Sequence, residues 1–205
     1  MQQVDPIGLL HVRMDDGTPI VLRPLRPGDK PLLVKGLEEL SPASRQSRFF
    51  SPFHHLSERQ LDYLTNVDQR RHVAWGAILE DEQMAGVGIG RFMRLEDEPE
   101  TAEIAVTVLD RFQHQGVGKL LFALLYRMAG RMGIEKFRAY ILLSNQSLVH
   151  NLKALGAQLI SHADGAVEID LPIWENPADH ADAPEIDSFQ AALDEVDRAF
   201  AELDH

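Results

Sequence analysis

The stretch Ala105-Val106-Thr107-Val108-Leu109-Asp110-Arg111-Phe112-Gln113-His114-Gln115-Gly116-Val117-Gly118-Lys119-Leu120 decides how this chain is read. Its first five residues are apolar or β-branched, its middle is polar, and its end opens a helical apolar pattern. A strand, a short loop and a helix start are predicted. A loop entering a helix N-terminus points unpaired backbone N–H groups outward, and the helix dipole adds positive potential. Glycines at 116 and 118 let the backbone approach a ligand closely. Such a place accepts a pyrophosphate without many cationic side chains. A Walker loop fits worse, because Lys119 is followed by Leu120 and the first glycine is missing. The dinucleotide fingerprint lacks its third glycine. Gly86-Val87-Gly88-Ile89-Gly90 is also glycine-rich, but it lies in mid-strand with no helix after it. It reads as close packing or a bulge.

Working outward, Pro19 to Arg23 reads as a strand, and Asp29 as the cap of a helix through Leu33 and Leu37 to Leu40 that Ser41-Pro42 breaks. Ser57 and Gln60 form a capping-box pattern opening a second helix. His72 to Leu79 and Met84 to Phe92 read as a hairpin about the polar turn Glu80 to Gln83. Thr101 to Leu109 is a further strand. Val117 to Met132 is a helix closed by Gly133, Phe137 to Leu143 a strand, and Gln146 to Leu155 a helix closed by Gly156. Two last strands cover Gln158 to Ser161 and Ala166 to Leu171. This order predicts an α/β domain around one sheet over residues 19–174, after an N-terminal extension, 1–18. Residues 175–205 form an acidic tail. In it Ile186, Phe189, Leu193, Val196, Phe200 and Leu203 recur at helical spacing, so an amphipathic helix either packs on the body or meets a partner chain, as in a homodimer.

The absence of cysteine excludes disulfides, thiolate metal sites and an acyl-cysteine intermediate. A net charge of −12 argues against nucleic acid and suits a cationic partner such as an amine. No apolar run reaches the ~20 residues of a membrane span, and Met1 to Leu10 has no signal-peptide pattern. The expectation is a cytoplasmic protein with no membrane partner. No metal is expected either, since the histidines show no ligand spacing.

Gln113-x-x-Gly116-x-Gly118, opening a helix after a strand, resembles the signature of the GNAT N-acetyltransferase superfamily. Asn145 after the next strand, and Gly156 beyond it, extend the likeness. More narrowly, Leu22 to Asp29, Leu40 to Ser44, Ser47 to Phe50, Asp68-x-x-Arg71 and Ala102-Glu103-Ile104-Ala105-Val106 resemble the acetyltransferase domain of bacterial protein-lysine acetyltransferases. The resemblance implies the GNAT fold. That is a mixed, mostly antiparallel sheet of six to seven strands with about four helices, splayed in mid-sheet for acetyl-CoA. It implies direct acetyl transfer to an amine, with a protein lysine favoured over a small-molecule amine, and a non-catalytic acyl-CoA-sensing module as the rival.

The resemblance also implies site residues. Gln113, His114, Gln115, Gly116, Val117, Gly118 and Lys119 would hold the pyrophosphate. Val106, Thr107 and Val108 would pair with the pantetheine arm and polarise the thioester, with Asn145 as a further ligand or else a helix cap. Glu103 occupies the place of the catalytic base, an amine acceptor being mostly protonated at neutral pH. The family's usual tyrosine acid is replaced by Leu152, leaving water or His150 to protonate the thiolate. Arg48, Phe49, Phe50 and Phe53 fall where the family shapes its acceptor site.

Overall fold

The computed structural model describes residues 8–49, 55–80, 85–163, 165–179 and 184–203. Its strands are β1 (Leu10–Arg13), β2 (Pro19–Pro24), β3 (His72–Leu79), β4 (Gly86–Arg94), β5 (Thr101–Val108), β6 (Lys136–Leu142), β7 (Gln158–Ala163) and β8 (Ala166–Pro172). Its helices are α1 (Lys30–Glu39), α2 (Pro42–Phe49), α3 (Glu58–Thr65), α4 (Val117–Arg131), α5 (Gln146–Ala154) and α6 (Pro184–Leu203). The strands form one sheet in the order β1-β2-β3-β4-β5-β6-β8-β7, in which only β5 and β6 are parallel.

Eight strands stand where six to seven were expected, because Leu10–Arg13 lies against β2, from Leu10 opposite Leu22 to Arg13 opposite Pro19. The segment read as an extension thus carries an edge strand of the sheet. Ser41-Pro42 does end α1, yet Pro42 also begins α2, in the first turn, where a missing N–H breaks no helical bond. Asp29 precedes α1 without capping it. Its carboxylate takes Arg23 at 2.6 and 2.8 Å and the Arg26 N–H at 2.7 Å. Ser57 and Gln60 make the capping box as read.

The core lies between the sheet and α4, whose Leu121, Ala123, Leu124, Leu125 and Ala129 are fully buried. The glycine run of β4 is what lets α4 close on the sheet. A Cβ at Gly90 would stand 2.8 Å from Leu125 Cδ1, and one at Gly88 3.1 Å from both Leu121 Cδ1 and the Thr107 carbonyl. A register shift at Ala77/Ile78 opposite this run adds the irregularity also expected there.

The far side of α4 is covered by α6, which buries Ile186, Phe189, Leu193, Val196 and Phe200. Phe189 packs at 5.3 Å from Phe122 and edge-on to Tyr126 at 5.4 Å, and Arg131 lies over Phe200. The apolar stripe of the tail is therefore used within its own chain. Five of the six residues of that stripe are buried against the body, and Leu203 remains exposed.

Candidate active site

β5 differs on its two sides. Toward β4 it pairs from Gly88 opposite Val108 to Arg94 opposite Ala102. Toward β6 it pairs only from Thr101 to Glu103, against Lys136 to Arg138, and there the strands part. Residues 104–108 thus turn a backbone edge toward a cleft. An open edge of this kind receives an extended ligand chain through main-chain hydrogen bonds. Val106, Thr107 and Val108 lie on it, all half-buried.

The cleft leads to the loop before α4. Its polar side chains fold inward. Gln113 Nε2 donates to the Val108 carbonyl at 3.1 Å and to Ser44 Oγ at 3.2 Å, and Gln115 Nε2 donates to the Arg111 carbonyl at 2.8 Å. Asp110 accepts from Ser41 N–H (2.9 Å), Ser41 Oγ (2.6 Å) and Ser44 Oγ (2.8 Å). Burial works against the Asp110 charge, but these bonds outweigh it and hold the carboxyl below its usual range. The loop is thereby fastened to the start of α2.

Arg111 and His114 of the loop are exposed, while Gly116 and Val117 at the helix start are buried. Gly116 (φ +87) and His114 (φ +58) take left-handed conformations. No side chain caps α4, and the first bond into it runs from Leu120 N–H to the Gly116 carbonyl at 3.0 Å. The N–H groups of Val117, Gly118 and Lys119 have no partner within the helix. A helix start of this kind can cradle an anion.

The two glycines act differently. A Cβ on Gly116 would lie 2.4 Å from Asp15 Oδ1, and the positive φ disfavours a side chain in any case. A Cβ on Gly118 would meet Val108 Cγ2 at 3.6 Å, an ordinary contact, so Gly118 faces the strand rather than the cradle. Asp15 was not marked by the sequence. Its N–H donates to the Gln115 carbonyl at 3.0 Å and its carboxylate lies 3.6 Å from Lys119 Nζ. Lys119 also donates to Ser188 Oγ at 2.8 Å, so its ammonium is held toward the β1–β2 turn and α6.

Asn145 is the cap of α5, with Oδ1 accepting from Leu148 N–H at 3.3 Å. Leu152 is buried in the main core, so the usual tyrosine position lies inside the protein here, while His150 is exposed. Glu103 is exposed at the last paired position before the cleft. Phe50 and Phe53 lie outside the described residues, and Arg48 and Phe49 close α2. Beside Glu103 runs a charged group the sequence reading passed over. Arg138 bonds Glu98 at 2.7 Å and Asp170 at 2.8 Å and lies 3.3 Å from Glu168. Spacing within β6 and β8 gave no signal of it, since the pairing comes from register.

The chain belongs to the GNAT acetyltransferase family, whose domain model matches residues 20–158. It is 31% identical over 144 residues to the acetyltransferase PA5475 of Pseudomonas aeruginosa, spanning 70% of this chain and 77% of that one. It is 31% identical over 165 residues to the acetyltransferase Pat of Mycolicibacterium smegmatis, spanning 80% of this chain but 49% of that longer protein. The crystal structure of the GNAT domain of S. lividans PAT superposes with a TM-score of 0.73 at 26% identity, covering 80% of this chain and 96% of that domain. The chain is thus a GNAT N-acetyltransferase resembling the bacterial protein-lysine enzymes. Among the described residues no cluster of His, Asp or Glu is placed to hold a metal, and no helix is long and apolar enough to cross a membrane.

Proposed function

We propose that the chain transfers acetyl from acetyl-CoA directly to the side-chain amine of a protein lysine, in the cytoplasm. The observation that carries this reading is the parting of β5 and β6 immediately after Glu103, with the anion cradle at the other end of the same strand edge. Acetyl-CoA supplies an activated thioester and a leaving thiolate. The amides of Val117 to Lys119 and the turn at Gly116 hold its pyrophosphate. The edge at Val106 to Val108 aligns the pantetheine arm, and a backbone N–H of that edge polarises the thioester carbonyl. Gln113 shapes this arrangement through the Val108 carbonyl rather than by touching phosphate.

Glu103, at the mouth of the cleft, accepts the proton that the ammonium must lose. The amine nitrogen then bonds the acetyl carbon, the carbon–sulfur bond breaks, and the nitrogen gives up its second proton to solvent. With Leu152 inside the core, the thiolate takes its proton from water or from His150. Lysine is favoured by the acidic balance of the chain and by its similarity to Pat and PAT.

The test is release of free CoA from acetyl-CoA with lysine peptides and small amines, for the wild type and Glu103→Gln. Turnover is expected, falling by about 10²–10⁴-fold in the variant, the usual worth of a general base. Acetyl-CoA binding without turnover on any amine would point instead to the sensing module. A variant as active as the wild type at every pH would remove Glu103 from the mechanism.

A further inference from the structure

Glu103 sits in a row that crosses the sheet. Met93 of β4 lies opposite it on one side and Arg138 of β6 on the other. Tyr63 of α3 reaches this row, its hydroxyl donating to Met93 Sδ at 3.0 Å. Tyr140 follows Arg138 by two residues, so it shares that face, at the level where β5 and β6 have separated. Burial, then the charges of Glu168 and Glu103, raises the Tyr140 hydroxyl above its ordinary pKa.

Tyr63, Met93 and Tyr140 are 54%, 36% and 46% exposed. One large apolar side chain at the surface needs no explanation, but here Tyr63 and Met93 touch on one side of Glu103 and Tyr140 lies on the same face on the other.

We propose that Tyr63, Met93 and Tyr140 form the slot that guides the acceptor onto Glu103, and that the acceptor it fits is a primary ammonium on a flexible aliphatic stem, as in lysine. The proposal rests on the acetyl-transfer reading above. An apolar stem packs on a thioether and the sides of two rings, while an ammonium is drawn to the ring faces and to the carboxylate beyond them. Tyr140 is held for this purpose. Its hydroxyl donates to Glu168 Oε1 at 3.4 Å, and Glu168 in turn accepts from Ser161 Oγ at 2.7 Å and faces Arg138 Nε at 3.3 Å. Tyr63 is braced by the His72 ring, 5.2 Å away.

The same bond argues against Tyr140 as a substitute for the missing acid. A hydroxyl donating to a carboxylate is stabilised in its neutral form, so it would yield its proton to a thiolate only uphill. The slot therefore acts on recognition, and its signature is in KM rather than kcat.

The experiment is steady-state kinetics with saturating acetyl-CoA and a lysine peptide, for wild type, Tyr140→Phe, Tyr140→Ala and Tyr63→Ala. CoA affinity and melting temperature are measured on each. Both alanine variants are expected to raise the peptide KM by about tenfold through loss of ring contact, with kcat and CoA affinity within about twofold. Tyr140→Phe keeps the ring but loses the bond to Glu168 that holds it, so the peptide KM should rise by no more than about threefold, less than in Tyr140→Ala, with kcat unchanged. Should Tyr140→Ala not fold, Tyr63→Ala and Tyr140→Phe decide. An unmoved KM in both alanine variants overturns the slot while leaving acetyl transfer intact. A Tyr140→Phe variant that loses kcat, with an altered alkaline limb, overturns it in favour of a proton donor. A wild type that acetylates small amines but no lysine overturns the slot's acceptor, and one that acetylates nothing overturns the transfer reading with it.

Discussion

The two edges of β5 show how one strand serves stability on one side and chemistry on the other. Against β4 it is paired to its end, and the face shared with that strand is so closely covered that α4 rests on two glycines, Gly88 and Gly90. Against β6 the pairing stops at Glu103, and the remaining backbone runs on without that strand beside it. A hydrogen-bonding edge is normally a liability that a fold must pair or cover. Here the opening can persist because the closed side fixes the strand and the loop beyond it is tied to α2 through Asp110 and Gln113.

Substitutions separate the two edges. On the closed side, Gly90→Val drives methyl groups into Leu125 and Leu121, and overpacking of this kind costs about 1–3 kcal/mol. Thermal unfolding should show the loss, with CoA affinity per folded molecule unchanged. A large drop in that affinity would mean that the α4–β4 contact shapes the cradle as well. At the cradle, Gly116→Ala should weaken CoA binding by about tenfold, a left-handed residue with a Cβ storing roughly 1 kcal/mol or more and the methyl displacing Asp15. Gly118→Ala should change affinity by less than about twofold, its methyl resting on Val108 in an ordinary contact. Calorimetric titration of CoA into both variants checks this, and equal losses would contradict the separate roles given to the two glycines.

The strand–loop–helix at the centre of this comparison was legible in the sequence because its signals are local. A β-branched run, a polar turn, glycines and an apolar period lie within sixteen consecutive residues, 105–120. Gly133 and Gly156 closed their helices for the same reason, with positive φ at both. What stayed hidden depends on register or on distant chain. β1 offers only Leu10 and Val12 as inward residues, too few to distinguish a strand from an extension. α2 was hidden by Pro42, which the same rule reads as a stop or as a start. Asp15, Ser41 and Ser44 reach the cofactor loop across at least sixty-six residues of sequence, and no spacing rule records that. The role of Asn145 was left between ligand and cap, and the structure makes the capping bond. That Tyr140 shares a face with Glu103 follows only from the parallel pairing of Glu103 with Arg138, which no local pattern announces.

The smallest effect expected lies at the rim of the open side, where His72 supports Tyr63. Burial first, and then the Arg91 guanidinium 3.3 Å from its ring, push the His72 pKa down to about 4, against the opposing pull of Asp68. In the unfolded chain this imidazole titrates near the ordinary histidine value of about 6.5. Between these values the native protein binds fewer protons than the unfolded chain, so the contribution is fully present above about pH 6.5 and declines as pH falls toward 4. The carboxyls of Asp29, Asp68 and Asp170, held below their usual range, lose their contributions only below the ordinary carboxylate value, which leaves the window from 4 to 6.5 to His72 among these groups. His72→Gln should therefore reduce the fall in melting temperature between pH 7 and pH 5. Discounted for the solvent that reaches a half-buried ring, the difference is about 2–4 °C for a chain of this length. If the two proteins lose the same number of degrees, His72 is solvated rather than packed, and Tyr63 has no rigid support beside Glu103. The lysine KM of His72→Gln then tells whether that support matters to the open edge: a rise of about twofold would tie the rim to the slot.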